Sequence, residues 1–403
     1  MKFNCSNLDN GLTVIGETCE SAESVAVGFF VRTGARDETP ELSGVSHFLE
    51  HMMFKGTARR SALDLTYALG AIGAQANAYT SEETTVYYAY VLPEYLGDAL
   101  DILSDMLRST LDVTEFNTEK NVILEEIALY QDRPTYQLFE ASLQQHFRNH
   151  SAGNPVLGTN ESIKALTQPQ MKAYFERRYV PANMVLVASG RFDYDSFFEL
   201  ASRHCGGWSS GFANRELVVH KPTRSETVMT KEGLHCAHLC YVTPGPSAVE
   251  ECQYAAGVLS CILGDTSGSR MYWDLVDKGL AESAHIDVDC MDGTGIIYAY
   301  ACSEPEKIDS VGDIVVNIMN TAKDFSDDDL ERAKTKLATR LVVGGESARK
   351  RMMTVGNDWI YRKQYFTLQE ELRKIQDVSR GDIEDVLSLY SFSPVTKVKL
   401  IPA

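Results

Sequence analysis

No run of about 18 or more apolar residues occurs anywhere in the 403 residues, which argues against a membrane-spanning helix. The start, Met-Lys-Phe-Asn-Cys-Ser, lacks the apolar stretch of a secretory signal. The expected location is therefore the cytoplasm, or an organelle matrix if a presequence has been removed. The nine cysteines are odd in number and lack the spacing of a disulfide framework, so free, mostly buried thiols are expected. Basic residues are too few for a nucleic-acid binder: 38 Lys and Arg against 56 Asp and Glu give a net charge of −18, without the basic stripe that displaces counterions. What is present is 44% hydrophobic and 23% charged sequence, the balance of a globular chain long enough for two domains of about 200 residues.

The order of elements reads as α+β. "NGLTVIGE" and "SVAVGFFVRTG" have the short β-branched and aromatic runs of strands. "ELSGVSHFLEHMMFKGT" reads as a helix with Ser43 or Ser46 as its cap and Gly56 as its stop. A second helix starts at Ser61, with Asp64 at capping-box spacing, and "AQANAYTSEETTVYYAYVL" reads as a hairpin. Helices are expected at 93–109, at 114–131 up to Pro134, at 136–149 and at 167–178, then a strand in "NMVLVASGRF". Small and polar residues at 206–211 mark a linker.

The second half repeats the order: strands in "SETVMTKE" and "HCAHLCYVTPG", a helix at 248–263, strands within 285–302, and helices at 306–323 and 326–342. Placing Phe116-Asn117-Thr118-Glu119-Lys120 on Leu330-Glu331-Arg332-Ala333-Lys334 gives an offset of 330 − 116 = 214 residues. The expected division is a domain at 1–207, a linker at 208–221 and a homologous domain at 222–403, each an antiparallel-rich sheet packed against helices. At this offset Glu126 falls on Arg340 and Glu119 on Ala333, so the second half lacks the carboxylates of the first.

"HFLEH" at 47–51 reads either as an ordinary amphipathic helix with two histidines four apart or as part of a metal site. On a helix, His47 and His51 share one face a turn apart, so both imidazoles reach a single ion. Glu50 lies about 100° around the helix, where it can take a proton from water without being a ligand. Two histidines leave a catalytic site one ligand short. The segment "EFNTEKNVILEEIALYQDRP" offers Glu119, Glu125 and Glu126. Seven residues turn an ideal helix through about 700°, so Glu119 and Glu126 share a face, with Val122 and Ile123, that is expected to turn inward. An unpaired carboxylate there would be costly, and a metal resolves that cost for Glu126. Glu125 reads as a solvated acid.

"HFLEHMMFKGT", "NAYTSEETTVYY" and "EKNVILEEIALYQDRP" together resemble the inverted-zincin metallopeptidases, the family of pitrilysin, insulin-degrading enzyme and the mitochondrial processing peptidase. The family's third ligand follows about 75 residues after the second histidine, and 126 − 51 = 75 here. The resemblance implies one Zn2+ held by His47, His51 and Glu126, with Glu50 as general base and Glu119 as the helper acid. It implies that the strand at 75–80 receives a peptide by β-augmentation, with Asn77 and Ala78 matching the family's substrate-binding strand. It also implies a half clamshell that a second chain completes. In the family's second domain, "HCAHLC" is similar to an ordinary core strand, so His235, Cys236, His238 and Cys240 are expected to be structural.

One stretch departs from the pattern. Short members carry an arginine and, seven residues on, a tyrosine that stabilise the tetrahedral intermediate across the site. "GDTSGSRMYWDLVDKGLAESA" aligns with a one-residue gap, has Glu282 in place of the tyrosine, and no arginine between Arg270 and Glu282. Loss of such donors costs about 10²–10³ in rate each. The expectation is a zinc endopeptidase acting on unfolded peptides or presequences as the zinc-bearing subunit of a heterodimer with a related chain. A homodimer in which Lys278 or backbone amides replace the pair comes second. The competing class is a non-catalytic core or scaffold subunit, as in respiratory complexes.

Overall fold

A computed structural model describes all 403 residues. In chain order the first half contains β1 (Lys2–Asn7), β2 (Thr13–Thr18), β3 (Val25–Val31), α1 (Val45–Met53), α2 (Ala62–Ala71), β4 (Gln75–Thr80), β5 (Thr85–Val91), α3 (Leu96–Met106), α4 (Val113–Gln131), α5 (Pro134–Phe147), α6 (Asn160–Ala165), α7 (Gln168–Arg178), β6 (Met184–Gly190) and α8 (Tyr194–Cys205). The second half contains β7 (Ser225–Lys231), β8 (Ala237–Pro244), α9 (Gln253–Gly264), β9 (Ser283–Met291), β10 (Thr294–Ser303), α10 (Ile308–Asn320), α11 (Asp327–Gly345), α12 (Ala348–Arg362), α13 (Leu368–Gln376), α14 (Arg380–Leu389) and β11 (Thr396–Pro402). The α+β class is as the sequence indicates. Pro134 does more than stop α4: it is the first residue of α5, where its missing N–H costs nothing.

The strands form two mixed sheets, in the orders β1-β2-β6-β3-β5-β4 and β7-β11-β8-β10-β9. Shifted by 214 residues, β2, β6, β3, β5 and β4 overlap or adjoin β7, β11, β8, β10 and β9, and α4 lands on α11 end to end. The two sheets therefore repeat one order, with β1 added to the first. Every residue of β3 is buried, as its unbroken apolar run VAVGFFV requires of a strand covered on both faces.

The two compact units do not follow a single cut in the chain. Unit 1 is Met1–Ala128, Asn154–Glu216 and Val343–Thr367; unit 2 is Leu129–Gly153, Leu217–Val342 and Leu368–Ala403. The segments each half gives away, Leu129–Gly153 and Val343–Thr367, are the same repeat position, since 343 − 129 and 367 − 153 are both 214. In unit 2, α5 lays Leu138, Leu143 and Phe147 on Cys240, Val242, Val398 and Leu400 of β8 and β11. In unit 1, α12 lays Met352 and Val355 on Ala26, Phe30, Val185 and Val187 of β3 and β6. Gly356 makes that approach possible, because a Cβ there would lie 2.2 Å from the Phe30 ring. Each such fully buried apolar side chain contributes about 1.5–3 kcal/mol.

A buried ion pair fixes α12 to unit 1. Arg351 Nε and Nη2 donate to the Glu17 carboxylate at 3.0 and 2.5 Å, and Tyr365 and Ser189 donate to the same group at 2.9 and 3.2 Å. Residues 206–224 have no regular secondary structure, yet they do not hang free of unit 1. Trp208 lies under the Arg108 guanidinium at 3.8 Å, and Arg215 donates to Asp37 at 2.7 and 3.0 Å.

Candidate metal centre

The start of α1 is set by a residue outside the helix. Neither Ser43 nor Ser46 caps it; the N-cap is Gly44, whose φ of +87° suits glycine. The orphan donors are taken by Glu38, which accepts the Gly44 and Ser46 N–H groups at 2.7 Å each. Burial pushes the Glu38 carboxyl up to about 8 against the pull of those two donors. Ser46 instead bonds Tyr174 through its hydroxyl at 2.9 Å, which fixes α1 to α7.

Within this frame the two histidines and Glu126 converge. Glu126 Oε2 lies 3.7 Å from His47 Nε2 and 3.4 Å from His51 Nε2, and the three ligand atoms all lie within 4.8 Å of one another. The first of these distances is too long for a hydrogen bond, and the second is at its limit. Both are close to the edge of a tetrahedron of ligands about 2.0–2.1 Å from zinc, which is about 3.4 Å. Burial, and then His51, lower the His47 pKa to about 3, so its imidazole is neutral at pH 7, the form that binds metal. His47 Nδ1 is buried without a protein partner.

Glu119 fixes the His51 ring. Its Oε1 is 2.8 Å from His51 Nδ1, and its Oε2 is 2.5 Å from Lys55 Nζ. A proton held on Nδ1 by Glu119 leaves Nε2 as the lone-pair nitrogen facing Glu126. Desolvation opposes the charge on Glu119, but His51 and Lys55 outweigh it and hold the carboxyl below its usual range. Lys55 thus has a side-chain partner beyond its place near the end of α1.

Glu50 is bonded to the strand β4. Its Oε2 accepts the Thr80 hydroxyl at 2.6 Å, which links α1 to the last residue of β4. Burial raises its pKa, with Glu126 adding in the same direction. β4 is an edge strand, and Gln75, Asn77 and Tyr79 are its exposed residues. The Ala78 N–H donates to the Asn77 side-chain carbonyl at 2.9 Å.

Other sequence-derived positions fall as follows. Glu125 is exposed, as a solvated acid should be. Val122 is 42% exposed, so the expected inward face of α4 is narrower and rests on Phe116, Ile123 and Ile127. Glu38, Thr80 and the Lys55 contact were not signalled by spacing, because each depends on a neighbour distant in sequence. All nine cysteines are free, and four of them, Cys205, Cys240, Cys261 and Cys302, are buried.

Unit 2 shows what occupies the same repeat positions without a metal. The 214-residue shift carries His47, Glu50, His51 and Glu126 onto Cys261, Gly264, Asp265 and Arg340. Asp265 accepts from Arg340 at 2.7 Å and Lys336 at 2.9 Å, and the Cys261 thiol donates to it at 3.8 Å. Two ion pairs to one carboxylate occupy this locus, where unit 1 brings together His47, His51 and Glu126.

A paired repeat of mixed sheets, carrying His-x-x-Glu-His on a helix and a glutamate 75 residues on in only one of its copies, has the pattern of an inverted zincin with its candidate metal group in one half. Residues 13–160 match Insulinase (Peptidase family M16), and residues 165–337 match Peptidase M16 inactive domain. An uncharacterized zinc protease of Bacillus subtilis, YmxG, is 32% identical over 383 residues, covering 94% of this chain and 92% of its own. A protease from Helicobacter pylori has the same fold, with a TM-score of 0.91 at 22% identity over 100% of this chain and 99% of that one. So does a chain of complex III2 from Candida albicans, with a TM-score of 0.88 at 19% identity over 99% and 95%. The chain belongs to peptidase family M16, in its two-domain type with an active and an inactive M16 domain. Zinc is implied by the names of its relatives and by the His47, His51 and Glu126 group. No helix is long and apolar enough to cross a membrane.

Proposed function

We propose that this chain is a zinc-dependent endopeptidase for unfolded peptides or presequences, with His47, His51 and Glu126 as the ligands of one zinc ion and Glu50 as the general base. The observation that carries this is the convergence of the three ligand atoms within 4.8 Å of one another, with the two separations to Glu126 close to the edge of a zinc tetrahedron. When bound, zinc supplies a Lewis acid that polarises the scissile carbonyl and lowers the pKa of water. Glu50 takes the proton of the attacking water and passes it to the departing amine, and its raised pKa suits both transfers. Thr80 holds Glu50 in place while β4 adds the peptide as a further strand. Asn77 then gives up the Ala78 N–H to the incoming backbone. Glu119 acts through His51 as a positioning residue.

The reading extends to a second, related chain that completes the site. Its support is the chemistry at Glu282, where the family's short members place a donor. Glu282 is an acceptor contacted by two thiols, and Lys278 is paired with Asp274 at 2.9 Å. A homodimer therefore needs donors from other positions. A scaffold role leaves the intact ligand set and base without a purpose, and likeness to a respiratory-complex chain is a likeness of fold.

The test is cleavage of a long unstructured peptide by the purified, zinc-loaded chain, alone and with candidate partner chains. Glu50→Gln is expected to lower turnover by about 10²–10⁴ while zinc stays bound. Zinc-independent cleavage, or cleavage equal in wild type and Glu50→Gln, sinks the assignment. Full activity of the chain alone sinks the requirement for a related partner.

A further inference from the structure

Outside the M16 centre, a second group of metal-ligating side chains converges at one end of the unit 2 sheet. Cys236 immediately precedes β8, Glu282 immediately precedes β9, and Cys302 is the last residue but one of β10. The sheet runs β8-β10-β9, so these are three adjacent strands. The Glu282 N–H donates to the Cys302 carbonyl at 2.8 Å, which places the Glu282 side chain beside the thiols. Cys236 Sγ and Cys302 Sγ lie 3.7 and 3.9 Å from Glu282 Oε2, and all three ligand atoms lie within 4.8 Å of one another.

Those separations have the size a cation needs. Two sulfurs about 2.3 Å and an oxygen about 2.1 Å from zinc, in tetrahedral array, are set about 3.6 Å apart across each S···O edge. Two thiols and one carboxylate select a borderline-soft divalent ion over Ca2+ or Mg2+, which take oxygen ligands. Cys302 is buried, Cys236 half-buried and Glu282 exposed, so the group has a buried floor and an open mouth. Nearby, His238 stands opposite Cys302 in the β8–β10 register, its Nδ1 2.8 Å from the Tyr300 hydroxyl.

We propose that Cys236, Glu282 and Cys302 form a second divalent-cation site, for zinc or an ion of the same class, separate from His47, His51 and Glu126. Binding releases the two thiol protons to solvent and replaces the two S–H···O contacts with three metal–ligand bonds. The ion joins the ends of β8, β9 and β10. The site thus gives the core-strand segment around His238 a neighbour that its own spacing did not reveal, with Cys236 the only member of "HCAHLC" among the ligands. It stands independently of the peptidase reading.

Cobalt(II) titration of the reduced, metal-free full chain tests this, because sulfur ligands give a charge-transfer band in the near ultraviolet that a His, His and Glu set does not. The band is expected in wild type and in Glu126→Gln, weakened in Cys236→Ser, which keeps the Cys302 sulfur, and absent when Cys236→Ser and Cys302→Ser are combined. Glu282→Gln, at an exposed position that does not endanger folding, is expected to weaken cobalt binding at least about tenfold. In parallel, zinc is expected to slow alkylation of Cys236, located by peptide mass spectrometry, while leaving Cys290 unaffected. No charge-transfer band, or one of undiminished intensity in Cys236→Ser, overturns the proposal. So does a Cys236–Cys302 disulfide in the freshly purified protein.

Discussion

At the residue scale, Glu119 separates orientation from ligation. It touches no candidate ligand atom facing Glu126, and it acts by holding the far nitrogen of His51. Glu119→Gln is therefore expected to weaken zinc binding by about 10–100-fold, measured against a chelating competitor, with secondary structure unchanged. A second residue-scale prediction concerns His146, buried in unit 2 beside His220 at 5.2 Å between ring centroids. Burial, and then His220, hold its pKa at about 4, below the ordinary 6.5. The unfolded chain thus takes up a proton as the pH falls through about 6.5, whereas the folded chain takes it up only near 4. This part of the stability is complete above about 6.5 and is lost as the pH falls toward 4, at up to about 1.4 kcal/mol per pH unit. The protection factors of the β8 and β11 amides, with the intrinsic slowing of exchange at lower pH divided out, are expected to fall between pH 7 and 5, and to fall less in His146→Gln.

At the element scale, legibility follows the range of the contact. The helix bearing His47, Glu50 and His51 could be read because its chemistry repeats with the turn of one helix, and Ser61 with Asp64 forms the capping box its spacing indicated. Glu38, which replaces the expected serine caps, sits in a loop outside α1, and no local rule joins it to Gly44 and Ser46. α12 left no such mark: its ARKRMMTVGNDWIYR has a glycine mid-helix and turns a charged residue, Arg351, inward, so its apolar face is broken up in sequence. That arginine is also the element's weak point. Arg351→Ala leaves the Glu17 carboxylate buried without its main partner and is expected to cost unit 1 about 3–5 kcal/mol, read as a fall in the denaturant midpoint. Two of the four edge strands, β4 and β9, which end the repeated order of each sheet, have an N–H engaged by the side chain of the preceding residue, Asn77 for Ala78 and Asp287 for Val288. Such contacts blunt an open edge against unwanted pairing, and only β4 lies beside a base and a ligand set.

At the scale of the whole molecule, the reciprocal placing of α5 and α12 limits how the chain can be divided. Fragments 1–207 and 222–403, made separately, each carry a helix that packs in the other's unit and a sheet missing the helix that covers it. Each alone is expected to aggregate or remain loosely packed, and the two co-expressed are expected to copurify as one folded species by size-exclusion chromatography and circular dichroism. The matched segments also bear on origin. Each half has a sheet whose covering helix comes from the same repeat position of the other half, α12 for the first and α5 for the second, which is the relation found in a domain-swapped dimer. The present chain has the form of such a dimer with its ends joined. With two copies on one chain their equality is not obligatory, so the second locus carries Asp265 paired with Arg340 and Lys336 where the first brings together His47, His51 and Glu126.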